Sequence, residues 1–162
     1  MKIVDLVRWM HADFRQRLDK MERIAKEGGV GEAAKVAHEL SLVLQSLQAH
    51  EWLEEEVLYP YLRTRVPGFD AKAPEESAVG HRALQGKVSE LKEALAHPDA
   101  TLTLLFAAEI FIAFLREHMA AEEKGILDSA DKRLPEPVQE KLAADALKIL
   151  KEAGLPEEFL PR

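Results

Sequence analysis

Apolar residues recur along this chain at intervals of three and four, and four long segments keep that rhythm. The first, roughly residues 2–27, sets Ile3, Val7, Met10, Phe14, Met21 and Ile24 on one face, with His11 beside Val7 and Phe14. The second, roughly 32–65, carries the stripe Val36, Leu40, Val43, Leu47, His50, Glu54, Val57 and Tyr61. Pro60 near its end can kink the last turn. The third starts near Pro74, which suits a first helical turn, and ends before His97, with His81, Leu84, Val88, Leu91 and Leu95 in line. The fourth begins at Asp99 or Thr101 and runs to about Ala130 through Leu104, Ala107 or Ala108, Phe111, Phe114, Leu115, His118, Glu122 and Ile126. Turn and helix-end signals separate these segments at Gly28-Gly29-Val30-Gly31, Pro67-Gly68-Phe69-Asp70, His97-Pro98-Asp99 and Leu134-Pro135-Glu136-Pro137. No segment alternates as a strand does. A shorter fifth segment, roughly 136–153, places Val138, Leu142, Ile149 and Leu150 on one side and is closed by Gly154 and Pro156. It reads as a cap on the rest, with a dimer surface (and so a homodimer) as the alternative.

Four long helices with short connections predict an all-α, up-down-up-down four-helix bundle over residues 1–133, with 134–162 forming a C-terminal capping helix of the same domain. His11 precedes His50 by nearly the interval that separates His81 from His118, so the bundle reads as two copies of one helical hairpin. The length of 162 residues is enough for one domain with a real core. A net charge of -7 argues against nucleic acid and against anionic lipid as partners. No apolar run approaches the roughly 20 residues of a membrane span. Lys2, Asp5 and Arg8 break up what would have to be a secretory signal. The absence of cysteine excludes disulfides and thiolate ligands and fits a cytoplasmic location.

The anomaly in the pattern is chemical. The second and fourth stripes each give two successive core positions to a histidine and a glutamate four residues apart, His50/Glu54 and His118/Glu122. The helix before each contributes one histidine to its apolar face, His11 and His81. Residues at that spacing share a helix face and can reach one metal ion or two neighbouring ions. Unpaired buried carboxylates would cost several kcal/mol each. Histidinium–carboxylate pairing could offset this, but would leave the duplicated spacing a coincidence. Imidazole nitrogen with carboxylate oxygen suits iron, manganese or zinc. Imidazole binds one ion and a carboxylate can bridge two. The arithmetic favours two ions with two histidines each and Glu54 and Glu122 between them. His38 lies off the core face of its helix and His97 sits at a helix end; both read as ordinary residues.

At these residues the chain resembles the hemerythrin-like family, the HHE cation-binding domains, over about residues 3 to 132. The likeness rests on His11 in Met-His-Ala-Asp-Phe and on His50 and Glu54 in His-Glu-Trp-Leu-Glu-Glu-Glu-Val-Leu-Tyr-Pro. It continues with His81 in Gly-His-Arg-Ala-Leu, and with His118 and Glu122 in His-Met-Ala-Ala-Glu-Glu-Lys-Gly-Ile-Leu. The resemblance implies a di-iron centre, two non-heme Fe ions inside the bundle, handling oxygen, nitric oxide, peroxide or iron itself.

Two departures bear on that. Oxygen-carrying members have a further histidine one turn after the third-helix histidine, where this chain has Gln85, and a wider His-to-Asp spacing on the last helix. Reversible oxygen carriage is therefore in doubt, and a site one imidazole short is more open to other ligands. Gln85 could ligate weakly or donate a hydrogen bond to a bound ligand. Some members use a carboxylate at the position of Glu51 as an extra ligand, while Glu55 and Glu123 read as solvated groups or as orienters of a histidine. Tyr61 reads as packing. A ferritin-like site, the nearest competitor on fold, is disfavoured by pattern, because it needs Glu-x-x-His on two helices and lone glutamates on the others. The expectation is metal-dependent binding or sensing of a diatomic ligand, or iron holding. The alternatives are an enzyme that turns over peroxide or nitric oxide, an iron donor for iron–sulfur repair, and a metal-free structural bundle.

Overall fold

The computed structural model describes residues 1–97 and 101–161. Pro98 and Asp99, and with them the Asp99 start for the fourth helix, lie outside the described residues. Among the described residues all regular structure is helical. Helix α1 (Ile3–Gly28) leads through a 3-10 turn (Gly29–Glu32) into α2 (Ala33–Trp52), a π-helical turn (Leu53–Leu58) and α3 (Tyr59–Arg65). Then follow α4 (Lys72–Ala96), α5 (Thr101–Glu122), a second π-helical turn (Glu123–Leu127), α6 (Asp128–Arg133) and α7 (Glu136–Glu152). A 3-10 turn follows at Glu157–Phe159.

The long helices form the up-down-up-down bundle. α1 packs on α2 and α5, α4 packs on α5, and α2 also meets α4 and α5. Phe14, Met21, Leu40, Leu47, Phe111 and Leu115 fill the space between them and are almost wholly buried. Truncating Phe14 or Phe111 to alanine would cost roughly 3–5 kcal/mol. Val4, Leu6 and Leu18 are buried as well, which widens the buried arc of α1 beyond the stripe read from sequence. That suits a helix with α2, α5 and α7 around it. At the start of α4, Asp70 accepts a hydrogen bond from the Lys72 backbone N–H at 3.0 Å, satisfying one of the free donors of the first turn.

The second and fourth segments depart from uniform α-helix in the same place, at the bridging-type glutamates. A π turn uses one more residue per hydrogen-bonded ring, and here the Tyr59 N–H donates to the Glu54 carbonyl five residues back. The extra residue shifts every later side chain by one position. The stripe extrapolated to Val57 and Tyr61 is thus corrected to Leu58, Tyr59 and Leu62, which are buried, while Val57 and Tyr61 are half-buried. Pro60 follows directly: it has no N–H to give and its ring would crowd the carbonyl four residues back, a conflict that a widened turn relieves. The second π turn has Gly125 at its centre in place of a proline.

The fifth segment is a helix, and its inner face is rotated from the one expected, with Leu150 common to both. Gln139, Ala143, Ala146 and Leu150 are buried, and Ile149 is 44% exposed. The two alanines are small enough to bring α7 close to α1 and to the first π turn. Gln139 offsets part of the cost of burial by donating from Nε2 to the Leu134 carbonyl at 3.1 Å, while its Oε1 is left without a partner. Gly154, at φ +83, closes α7 with the Leu155 N–H donating to the Leu150 carbonyl at 3.0 Å. The turn then folds Phe159 back against α1, where the Arg17 guanidinium lies 5.2 Å from its ring centre.

Candidate metal centre

The face-sharing that put histidines and glutamates among core positions brings six side chains together at mid-bundle. His11 comes from α1, His50 from α2, Glu54 from the first π turn, His81 from α4, and His118 and Glu122 from α5. His11, His50 and Glu54 are fully buried, and the most exposed of the six, His118, keeps 8% of its surface. Their donor atoms fall into two sets, His11/His50/Glu54/Glu122 and His81/His118/Glu122, with the atoms of each set within 4.8 Å of one another.

Glu122 belongs to both sets, and its two oxygens divide between them. Oε2 lies 3.4 Å from His11 Nε2 and 3.9 Å from His50 Nε2, while Oε1 lies 3.3 Å from His81 Nε2 and 3.0 Å from His118 Nε2. Glu54 Oε2 also sits between the sets, 3.4 Å from His50 Nε2 and 3.2 Å from His81 Nε2. Despite these short approaches, the Nε2 atoms of all four imidazoles, both oxygens of Glu54 and Oε2 of Glu122 are buried without a hydrogen-bond partner. Buried polar atoms left so cost about 1–3 kcal/mol each. Two donors held about 2.1 Å from one ion at right angles lie about 3 Å apart, so the close pairs have the separations of ligands sharing an ion. The donor set fits a metal, and these orphaned atoms are the observation that says so.

Residues 2–130 match the family model of the hemerythrin HHE cation-binding domain. The chain belongs to that family. No curated protein and no solved structure matches it significantly. A buried His/Glu cluster inside a helical bundle fits a cation-binding domain.

The outer ring of contacts is crossed between the hairpins. His11 of the first hairpin donates from Nδ1 to Glu123 Oε1 of the second at 3.0 Å, and Arg15 holds the other oxygen of Glu123 at 2.8 Å. His81 of the second hairpin donates from Nδ1 to Glu55 Oε1 of the first at 2.7 Å. An ionised carboxylate can only accept, so each Nδ1 carries a proton and Nε2 is the atom left for an ion once any proton on it is displaced. Glu55 and Glu123 each follow a bridging-type glutamate by one residue and sit in a π turn. His50 has no such partner; the edge of Phe14 meets its ring at 5.5 Å between centres.

Charge follows burial and partners. Burial pushes Glu54 up to about 8, reinforced by the charge of Glu122. Burial acts the same way on Glu122, but the contacts with His11, His118 and His81 outweigh it and hold it well below the usual carboxylate range. Burial opposes a charged His81, yet its contacts with Glu122 and Glu54 raise it to about 11. Burial, with the neighbouring His11 charge, holds His50 well below the ordinary histidine value. Without an ion, then, the cluster keeps protons that an ion would displace.

Two site residues escaped the sequence reading. Tyr59 donates to Glu122 Oε1 at 3.1 Å and lies 2.8 Å from Ser77 Oγ, which donates to the same oxygen at 2.5 Å. Burial pushes the Tyr59 phenol above its usual range, so it stays a donor. Ser77 was findable, one turn before His81 on the same face; Tyr59 was not, because only the π turn brings it inward. Gly80 is needed for a different reason: a Cβ there would lie 2.6 Å from His118 Nδ1. His38 and His97 are exposed, away from the centre. Gln85 is exposed and turned to Glu51, donating to its Oε2 at 2.6 Å, and neither residue is in either donor set.

Proposed function

We propose that this chain is a non-heme di-iron protein that binds a small diatomic molecule, dioxygen or nitric oxide, at the mid-bundle site. His11 and His50 would hold one iron and His81 and His118 the other, with Glu54 and Glu122 shared between them; manganese and zinc are the competing ions for this donor set. The observation carrying the proposal is the convergence of four unpartnered Nε2 atoms on two carboxylates, one of which faces both pairs. A bound iron pair supplies redox equivalents and Lewis acidity. The chain's own residues do the rest: Glu55 and Glu123 fix the imidazole tautomers, and Tyr59 and Ser77 hold Glu122 with one oxygen toward each pair. Packing around His50 and His11 excludes water from the first pair.

The test is elemental analysis of protein purified after growth with added iron. About two irons per chain is the expected result for a bridged pair. Zinc in place of iron, or a single ion, removes the di-iron reading. Metal-free protein whose stability is indifferent to chelators leaves only histidine–carboxylate pairing. An enzyme consuming peroxide or nitric oxide is the second reading, favoured by the open side at His118. Stoichiometric binding without turnover supports the binding protein, and sustained consumption supports the enzyme.

A further inference from the structure

Among the described residues, one hollow reaches the donor side chains. Between α4 and the α5–π junction lies a pocket of about 150 Å³, lined by Ala73, Ser77, His118, Ala121, Glu122 and Gly125. Three of these are among the smallest side chains available, and two, His118 and Glu122, are donors of the second set. The Nε2 of His118 is buried, aimed inward and without a partner, although the ring is the least buried of the four. The other larger hollows of the surface lie elsewhere: one between α1 and α5 at Met21 and Phe106, one between α2 and the C-terminal turn at Trp52 and Pro156, and one on α1 at Asp13 and Lys20. None of these touches a donor residue.

The geometry points to this pocket as the way in for the small molecule and to the His81/His118 pair as the place where it binds. The inference rests on the metal-binding reading above. It adds which of the two pairs is reactive and what class of ligand it admits. A pocket of this size has room for a few water-sized molecules, not for an organic substrate. Glu76 also lines it, beside alanine and isoleucine side chains, and there is no lysine or arginine to draw an anion. An uncharged ligand of two or three heavy atoms is the chemistry that fits. Ser77 Oγ lines the pocket wall with its one proton committed to Glu122.

The pocket can be plugged without touching a donor. A Cβ added at Gly125 meets nothing within 4 Å, and Gly125 has no positive φ, so Gly125→Leu puts a side chain into the open space. Ala121→Leu plugs it from the preceding turn of α5. Gly86→Leu, also with open space at its Cβ and on the exposed side of α4, is the control. Each protein is loaded with ferrous iron without air, its iron content is measured, and the association rate of nitric oxide is followed by stopped-flow absorbance.

The expected result is full iron content in all, a rate at least about tenfold lower in the two plugged variants, and no change in Gly86→Leu. Wild-type rates in both iron-loaded plugged variants would overturn the inference while leaving the metal site intact. Should one plugged variant fail to fold, the other decides. Wild-type protein that takes up no iron would instead overturn the function on which the inference rests.

Discussion

The two hairpins offer nearly the same donors and wrap them differently. In the first, His11 and His50 are fully buried, with Phe14 against His50, α7 packed along α1, and Phe159 folded in at 2% exposure. In the second, His118 reaches a pocket walled by Ala73, Ala121 and Gly125, and the ring lies so close to Gly80 that no Cβ would fit there. The duplicated His…HisxxxGlu signature therefore accounts for two sets of donors and not for what each set can meet. The difference arises outside the signature, from large residues and an extra helix on one side and from small residues on the other.

The comparison can be broken most directly at the shared carboxylate. Glu122→Ala removes the one residue common to both donor sets, and metal content by elemental analysis is expected to fall close to zero, while His97→Ala loads normally. Normal loading of Glu122→Ala would show that the halves bind independently. The next test separates the halves. Glu123→Gln acts on His11 and Glu55→Gln on His81, and each is expected to weaken its own ion by about 10–100-fold, as loss of a histidine's outer partner generally does. Competition titrations with a chelator should show one weakened step and one unchanged step in each variant. If both steps move together, the two sites act as a unit.

The smallest effect concerns how the hairpins are joined at the surface. Arg116 of α5 holds Glu22 of α1 with two hydrogen bonds, at 2.8 and 3.0 Å. The bonds from Arg116 keep Glu22 below the usual carboxylate value. A carboxylate lowered by folding stabilises the native state above its unfolded value of 4.5, and that contribution is lost as pH falls through the lower folded value. Arg116→Ala should therefore cost about 1 kcal/mol or less at neutral pH, given how exposed the pair is. Denaturation curves of variant and wild type should converge below pH 4 or so. A gap that persists in acid would mean that Arg116 acts through packing.

Much of the molecule was legible in the chain. Ile3, Val7, Met10, Phe14 and Met21 on α1, and Leu84, Val88 and Leu91 on α4, are buried as their spacing requires. The helix periods also brought all six of the histidines and glutamates singled out to one place, and the tandem glutamates gave Glu55 and Glu123 their histidine partners. What the pattern misplaced lies after a change of helical period or where a neighbour decides burial. Tyr59 replaces Tyr61 because a π turn intervenes, and α7 buries Gln139, Ala143 and Ala146 because close approach to α1 favours small residues over the apolar side at Val138 and Ile149.

By itself, the sequence determined which residue types stand on the inner faces, because a helix face is a local, periodic property of the chain. It fixed the bundle, the hairpin duplication and the six-residue cluster on that basis. The tertiary structure alone decided which Glu122 oxygen faces which histidine pair, that each hairpin's lone histidine is held by the other hairpin, and that the second pair reaches a pocket at His118. Those are relations between residues far apart in the chain, set by how the helices pack, and no local period encodes them.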